Sequence, residues 1–407
     1  MKGRFILATV ATCFCMYAYA DCPPGDINKD CTVDAADLRV LAQSWLGDAN
    51  SPANLNHDAL VNQADLAVVA ATWGQTGCPI VVNEVLAHAH ADAPDWIELY
   101  NTSNTRVDIS GWMLSDREDE LDRFTIARGT VVGPFEYIVF YENTHFGNAL
   151  NPGTRTPFAL TENGETLYLY SGQDPVFPGY LVEAPLGPSE TFNSFVRYQT
   201  SIGTYHYVTT SEPTPGEANA YPRVGPVIIN EVMYHPADDA DAEYVELLNI
   251  DEGPVTLFDF AVMEPWRLID RDSGIDFRFP TDAPVTLQKG EHLLLVKELV
   301  TARRWYKIPT GTKVIEWDSG KLANQGEHLF LLKPGDVDIA GNRYWIEVDS
   351  LEYSDGSRPD DFPKKADPWP KAADGDGPSL NRLFPRKYGN DPNNWQATIP
   401  TPGSAND

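Results

Sequence analysis

The sequence predicts a mainly β protein: two antiparallel β-sandwiches preceded by a small α-helical module. Three observations carry this expectation. Short runs rich in Val, Ile, Tyr and Phe, at 80–85, 96–100, 137–141 and 166–170, alternate apolar with polar positions between clusters of Gly, Pro, Asn and Asp, the mark of half-buried strands joined by turns. IVVNEVLAHAHADAPDWIELYN (80–101) recurs as VIINEVMYHPADDADAEYVELLN (227–249), and EPTPGEAN (212–219) recurs as IPTPGSAN (399–406), so one β domain of about 140 residues occurs twice. Ahead of them, residues 26–73 match themselves on a shift of 28 residues, each half ending in a run of helical period.

The chain opens MKGRFILATVATCFCMYAYA. Two early cations, an apolar run over 5–16 and then Ala18-Tyr19-Ala20 follow the order of a secretory signal peptide with its cleavage site, so 1–20 are set aside from fold reasoning. The run is too short to span a bilayer, nothing similar follows, and no transmembrane insertion is expected. Asp21 stands where a lipid-anchored Cys22 would need a small residue. The expected location is extracellular, free or at the cell surface. Cleavage removes Lys2 and Arg4 and no acid, taking the formal charge from -29 to -31. Such a chain repels phosphate backbones, which excludes nucleic-acid binding by an electrostatic footprint, and it suits divalent cations. Of the five cysteines, Cys22, Cys31 and Cys78 survive cleavage. Two of the three can pair in an oxidising compartment, and the sequence does not choose which. The remainder has none, and a hydrophobic content of 42% supplies its core instead.

Residues 21–78 form the small module. In an oxygen-cage loop of about 12 residues, side chains at positions 1, 3, 5 and 12, a carbonyl at 7 and often a water held by 9 surround the cation. Asp26, Asn28, Asp30, Thr32, Asp34 and Asp37 fill those places in order, and Asn54, Asn56, Asp58, Leu60 by its carbonyl, Asn62 and Asp65 fill them again. The second set has two carboxylates against four, so it is expected to bind more weakly. Val33, at position 8, is expected to turn inward, and Leu38, Leu41 and Trp45 to lie on one face of the following helix. An N-capped helix after an acidic turn needs only one aspartate and explains neither the alternation nor its recurrence. Cys31 sits at position 6, where such loops turn on glycine; a disulfide to Cys22 or Cys78 would offset the strain by holding the loop closed.

Over 26–73 the segment resembles a type I dockerin, the duplicated loop–helix module DxNxDGxVxxxDxxxL of secreted bacterial proteins. The resemblance implies Ca2+ as the bound ion and docking to a cohesin domain within polysaccharide-degrading complexes. Positions 10 and 11, which often carry hydroxyl residues and help select the cohesin in that family, are Ala35-Ala36 and Gln63-Ala64 here.

The two larger domains are placed at 79–220 and 221–407. NEV with DWIELYN, then VDISGWMLSD (107–116), RFTIARGTVVGPFEYIVF (123–140), GETLYLY (164–170) and PTPGEAN are similar to the lamin tail domain, which implies an immunoglobulin-like sandwich. In the second copy VTLFDFAVME (255–264) replaces VDISGWMLSD, putting Asp259 and Phe260 where the first has glycine and tryptophan, while GEHLFLL (326–332) and the ending persist. These motifs are strand cores and turns, which specify fold and carry little chemistry.

Asn83-Glu84 with Glu98, and Asn230-Glu231 with Glu246, invite a paired-carboxylate reading for glycoside chemistry. The simpler expectation places these glutamates at the solvent or against Arg197 and Arg382. HAHAD (88–92) holds His88, His90 and Asp92, a set able to ligate a metal, but its counterpart YHPAD (234–238) has one histidine, so a loop with spare imidazoles is expected. The acidic loops SDREDELD (115–122) and HPADDADAE (235–243) lack ordered spacing and read as solvated connections. No G-x-S-x-G, H-E-x-x-H or phosphate-cradling glycine loop occurs, and no catalytic residue is expected. The expected function is therefore that of a non-catalytic secreted or cell-surface binding or scaffold protein. The alternatives are an accessory component of an extracellular polysaccharide-degrading assembly, attached by dockerin–cohesin contact, and a nuclease-associated surface protein. The expected partners are a cohesin-like or cell-surface protein and a polysaccharide.

Overall fold

The computed structural model describes residues 23, 25–27, 33–48, 51, 53–56, 58–74, 79–103, 106–172, 180–210, 212–237, 240–271, 274–317, 319–362 and 365–406. The leader expected at 1–20, three donors of the first loop (Asn28, Asp30 and Thr32) and Cys22, Cys31 and Cys78 lie outside the described residues. The disulfide expected at Cys31 lies outside them too.

Helices α1 (Ala35–Gln43) and α2 (Gln63–Ala71) begin in the same way. Asp34 and Asn62 are the extended capping residues, accepting from the N–H groups of Ala36 (2.6 Å) and Ala64 (2.7 Å). Asp37 and Asp65 reach back to the N–H groups of Asp34 (2.9 Å) and Asn62 (2.8 Å). This reciprocal box satisfies donors that a helix start leaves orphaned. Beyond the helices Leu46 and Gly74, 28 residues apart, turn the chain at φ 65° and 78°. Their N–H groups then cross over, Leu46 to the Val61 carbonyl (2.9 Å) and Gly74 to the Val33 carbonyl (2.7 Å). Each half is thereby stitched to the loop of the other. Val33 and Val61 are buried, as position 8 requires, with Ile27, Leu41, Ala53 and Val69.

The expected apolar helix face forms only in part. Leu41 is buried, whereas Leu38 and Trp45 are 40% and 45% exposed, and their counterparts Leu66 and Trp73 are 37% and 51% exposed. Two causes act together: α1 ends at Gln43, before the turn that Trp45 would need, and the crossed-over valines fill the core.

The rest of the chain is mainly β, in two immunoglobulin-like sandwiches. In the first, a sheet ordered Tyr205–Thr210, Ser194–Gln199, Ile80–Leu86, Trp96–Asn101, Tyr137–Tyr141 accompanies one ordered Phe124–Thr125, Met113–Ser115, Glu165–Tyr170, Leu181–Leu186. The second keeps this order strand for strand. Its sheets run Trp395–Thr398, Ser379–Arg382, Val227–Met233, Tyr244–Asn249, His292–Val296 and Asp276–Arg278, Arg267–Asp270, Gly326–Val337, Arg343–Ser354. It adds a parallel edge strand, Lys313–Glu316. Inward residues of both sheets share one core in each body: Val82, Ile97 and Leu99 with Leu114, Leu167 and Leu169, then Ile229, Val245 and Leu247 with Leu268, Leu329 and Leu331. Helix α3 (Leu299–Trp305), which the sequence reading did not anticipate, precedes the added strand and is capped by the Glu298 carboxylate. Seven residues are too few to show a helical period.

Both central strands slip in register at the same place, between Val82 and Glu84 and between Ile229 and Glu231. A bulge of this kind breaks the in–out alternation. Every residue of Ile80–Leu86 and of Val227–Met233 is consequently buried.

The sandwiches touch each other directly. The Ser201 N–H donates to Asp391 (2.9 Å), and His206 Nδ1 meets the Tyr388 hydroxyl (3.0 Å). Glu190 of the first body pairs with both Arg223 and Lys333.

Gly25 holds the start of the first loop against α2, because a Cβ there would lie 2.2 Å from Thr72 Oγ1 and 2.9 Å from Val69 Cα. Gly25→Ala is expected to destabilise the front module by about 1–3 kcal/mol. Calorimetry should show its transition moving down while that of the sandwiches stays in place.

Candidate functional site

Two constellations concentrate polar chemistry: the paired loops of the front module and the buried glutamates of the sandwiches. In the second loop Asp58 is the hub. Its Oδ2 accepts from the amides of Asn56 (2.9 Å) and Asn62 (3.3 Å), and its carbonyl accepts from Asn54 Nδ2 (2.8 Å). Asn62 Nδ2 also donates to the Leu60 carbonyl (2.9 Å), and the Leu60 N–H donates to Asp58 Oδ1 (2.8 Å). The Leu60 N–H first, then the Asn56 amide, holds the Asp58 carboxyl below the ordinary carboxylate range. Positions 1, 3, 5, 7 and 9 are thus brought together by the asparagine Nδ2 groups, which donate to the oxygens of Asp58 and Leu60.

The closing residue of each loop is placed differently. Asp65 is fully buried and accepts from the N–H groups of Leu55 (2.6 Å), Asn56 (3.2 Å) and Asn62 (2.8 Å). Asp37, equally buried, accepts from Ile27 (2.7 Å) and Asp34 (2.9 Å). These two carboxylates therefore bind the start of each loop to the start of its helix. Of the remaining first-loop donors, Asp26 is half-buried and Asp34 is exposed, its Oδ1 engaged in capping.

Among the described residues no three His, Cys, Asp or Glu side chains gather at metal-binding separation; the second loop draws mostly on amides and a carbonyl. In the His88–Asp92 segment His88 lies between the Ser189 carbonyl (3.2 Å) and the Thr191 hydroxyl (3.0 Å), and His90 stacks on Phe192 with centroids 5.1 Å apart.

The glutamates overturn the sequence expectation. Glu84, Glu98, Glu231 and Glu246 are fully buried, neither at the solvent nor against an arginine. The bulge explains this: the register slip lets Asn83 and Glu84, and Asn230 and Glu231, all face protein. The closing PTPG turn then folds over them. Glu84 accepts from Ser194 Oγ (2.5 Å), the Thr214 N–H (3.0 Å) and Thr214 Oγ1 (2.7 Å); Glu231 accepts from Ser379 Oγ (2.5 Å), the Thr401 N–H (2.9 Å) and the Tyr244 hydroxyl (2.5 Å). Glu98 takes the Gly216 N–H (2.5 Å) and Asn83 Nδ2 (2.7 Å), as Glu246 takes the Gly403 N–H (2.6 Å) and Asn230 Nδ2 (2.8 Å). Asn219 and Asn406 finish each clamp by donating to the carbonyls of Arg197 (3.4 Å) and Arg382 (2.9 Å).

The arginine side chains go elsewhere. Arg382 is buried against Asp349 (2.6 Å) and the Ile229 carbonyl (3.0 Å), while Arg197 lies 3.3 Å from the centre of the Tyr205 ring. In the first body the Val82 carbonyl, the counterpart of Ile229, receives the Tyr207 hydroxyl instead (2.8 Å). Desolvation pushes the Glu98 carboxyl up to about 7, against the pull of the Gly216 and Asn83 donors, and raises Glu231 as well. These acids hold a turn in place. Their role went unread in the sequence, though a signal was there: Asn-Glu, the second Glu and PTPG recur together in both copies.

A family model described as the Lamin Tail Domain matches residues 74–176, which include the strands from Ile80–Leu86 to Glu165–Tyr170. That domain is an immunoglobulin-like, non-enzymatic fold. No curated protein was found to match the chain. Among the described residues no helix is long and apolar enough to cross a membrane.

A folded-state value of about 7 for Glu98, against an ordinary 4.5, favours the folded chain when the carboxyl is protonated. That contribution is complete below about pH 4.5 and is lost as pH rises through about 7. The melting temperature of the wild type minus that of Glu98→Gln is therefore expected to fall between about pH 5 and pH 8 in calorimetry. A difference independent of pH contradicts the assignment.

Proposed function

We propose that the chain is a secreted, non-catalytic binding or scaffold protein. In this reading a calcium-stabilised, dockerin-like module at 21–78 docks to a cohesin-like or cell-surface partner, and two lamin-tail sandwiches at 79–220 and 221–407 follow a cleaved leader at 1–20. The observation that carries the reading is the exposure of the same apolar pair twice, Leu38 with Trp45 and Leu66 with Trp73, on two halves stitched together by crossed backbone bonds. Exposed apolar groups in a repeated arrangement mark a face that a partner covers. The assignment of the second sandwich as another lamin tail domain is supported by its identical strand order and closing hydrogen bonds.

The cation assignment rests on oxygen donors. In the second loop Asn54, Asn56, Asp58, the Leu60 carbonyl and Asn62 would hold the ion through their oxygens, once the amides that now turn Nδ2 toward Asp58 and Leu60 rotate. The first loop, with Asp26, Asn28, Asp30, Thr32, Asp34 and Asp37, would bind more tightly because it offers more carboxylates. Calcium would add a bridge between loop and helix that the capping boxes alone supply in its absence.

Calcium titration of the chelator-treated full chain by isothermal calorimetry tests this. Saturable binding is expected, weakened by an order of magnitude or more when Asp26 and Asp30 are both alanine. Asp58→Ala should leave the tighter site in place. Full affinity in the double variant removes the metal from the reading.

A further inference from the structure

A cleft of about 370 Å³ lies between the two sandwiches, apart from the loops and the closing turns. Strand register sets one wall. Ile269 pairs with Phe330, and Leu332 pairs with Glu347, while their neighbours Leu268, Leu329, Leu331 and Val348 belong to the core of the second body. Alternation along the strands therefore turns Ile269, Phe330, Trp345 and Glu347 outward, toward the first body. Tyr207, Thr209 and Arg223 form the opposite wall, and Tyr388 adjoins them. Neither sandwich alone makes the site.

The groups in it are held in place. Arg267 lies 4.5 Å from the centre of the Trp345 ring and is itself fixed by Asp276 (3.0 and 2.6 Å). Arg223, in the segment that follows the first body, is held by Glu190 of that body, which also pairs with Lys333 of the second. Glu347 is exposed and lines the cleft, and desolvation by the surrounding walls raises its pKa. The cleft thus offers aromatic rings, a guanidinium donor, a carboxylate acceptor and the Thr209 hydroxyl.

We infer that this cleft binds a neutral saccharide unit, with an apolar ring face against Trp345 and hydroxyls shared between Glu347 and Arg223. Three features select that class. A hydroxyl donates and accepts at once, so it satisfies the carboxylate and the guanidinium together. An anion would meet Glu347 and Asp349 within a chain of net charge -29, and a cation would meet Arg223 and Arg271. The volume lies near the lower end of the roughly 300–1,000 Å³ found for small-molecule sites, suited to one or two sugar rings. The site goes beyond the docking reading and does not depend on whether the loops hold calcium.

Isothermal calorimetry of the full chain with cellobiose and xylobiose as neutral probes, and glucuronic acid as the charged one, tests the inference. At least one disaccharide should bind saturably and glucuronic acid should not. Binding should weaken about tenfold or more in Trp345→Ala and in Glu347→Gln, and persist in Trp45→Ala, which alters only the docking module. Glu347→Gln is nearly isosteric and decides the matter if Trp345→Ala unfolds the sheet, with thermal melting as the check. No saturable heat with either disaccharide, unchanged affinity in Glu347→Gln, or preference for glucuronic acid overturns the assignment.

Discussion

Two carboxylates side by side in a protein interior are costly unless donors meet their lone pairs. Each sandwich accepts that cost at one point, where Glu84 stands opposite Glu98 and Glu231 opposite Glu246 in the register of the central strands. The backbone donors come from the far end of each copy: Thr214 lies 130 positions from Glu84, and Gly216 lies 118 from Glu98. The first strand of each domain is therefore incomplete until its last turn has folded over it. That one constraint ties the ends of each copy together and explains why the opening and closing motifs recur as a set.

The copies diverge around this shared clamp. The bulge frees a carbonyl in each, and the first body satisfies it with the Tyr207 hydroxyl while the second uses the buried Arg382. Burying a guanidinium calls for a counter-charge, which Asp349 provides; desolvation raises the Asp349 pKa even as Arg382 opposes the shift. Asp349 stands on the Arg343–Ser354 strand that also carries Trp345 and Glu347. One strand thus serves both the interior of the second body, through Val348 and Asp349, and the wall of the inter-sandwich cleft, through Trp345 and Glu347.

Much of the fold was legible in the sequence because period-2 alternation survives wherever a strand has one buried face. The strands expected at 80–85, 96–100, 137–141 and 166–170 lie within Ile80–Leu86, Trp96–Asn101, Tyr137–Tyr141 and Glu165–Tyr170. The place of Glu84 and Glu231 was not legible, since a slip of one residue moves a side chain to the opposite face and no residue type announces it. Helical period misplaced Leu38 and Trp45 for a related reason: pattern shows which residues share a face, but the crossed bonds from Leu46 and Gly74 decide what occupies the core. The spacing of the second loop marked residues that hydrogen-bond to one another around Asp58, while Asp65 serves the backbone of its own loop.

The clamp is tested most directly by amide hydrogen exchange at Gly216 and Gly403. Both lie in surface turns, where exchange is ordinarily fast. If the buried glutamates hold them, these two amides exchange only on global unfolding, with protection equal to that of Ile97 and Val245 in the central strands. Exchange at the rate of open loops, while those strands stay protected, would show that the turns are not what keeps the paired acids buried.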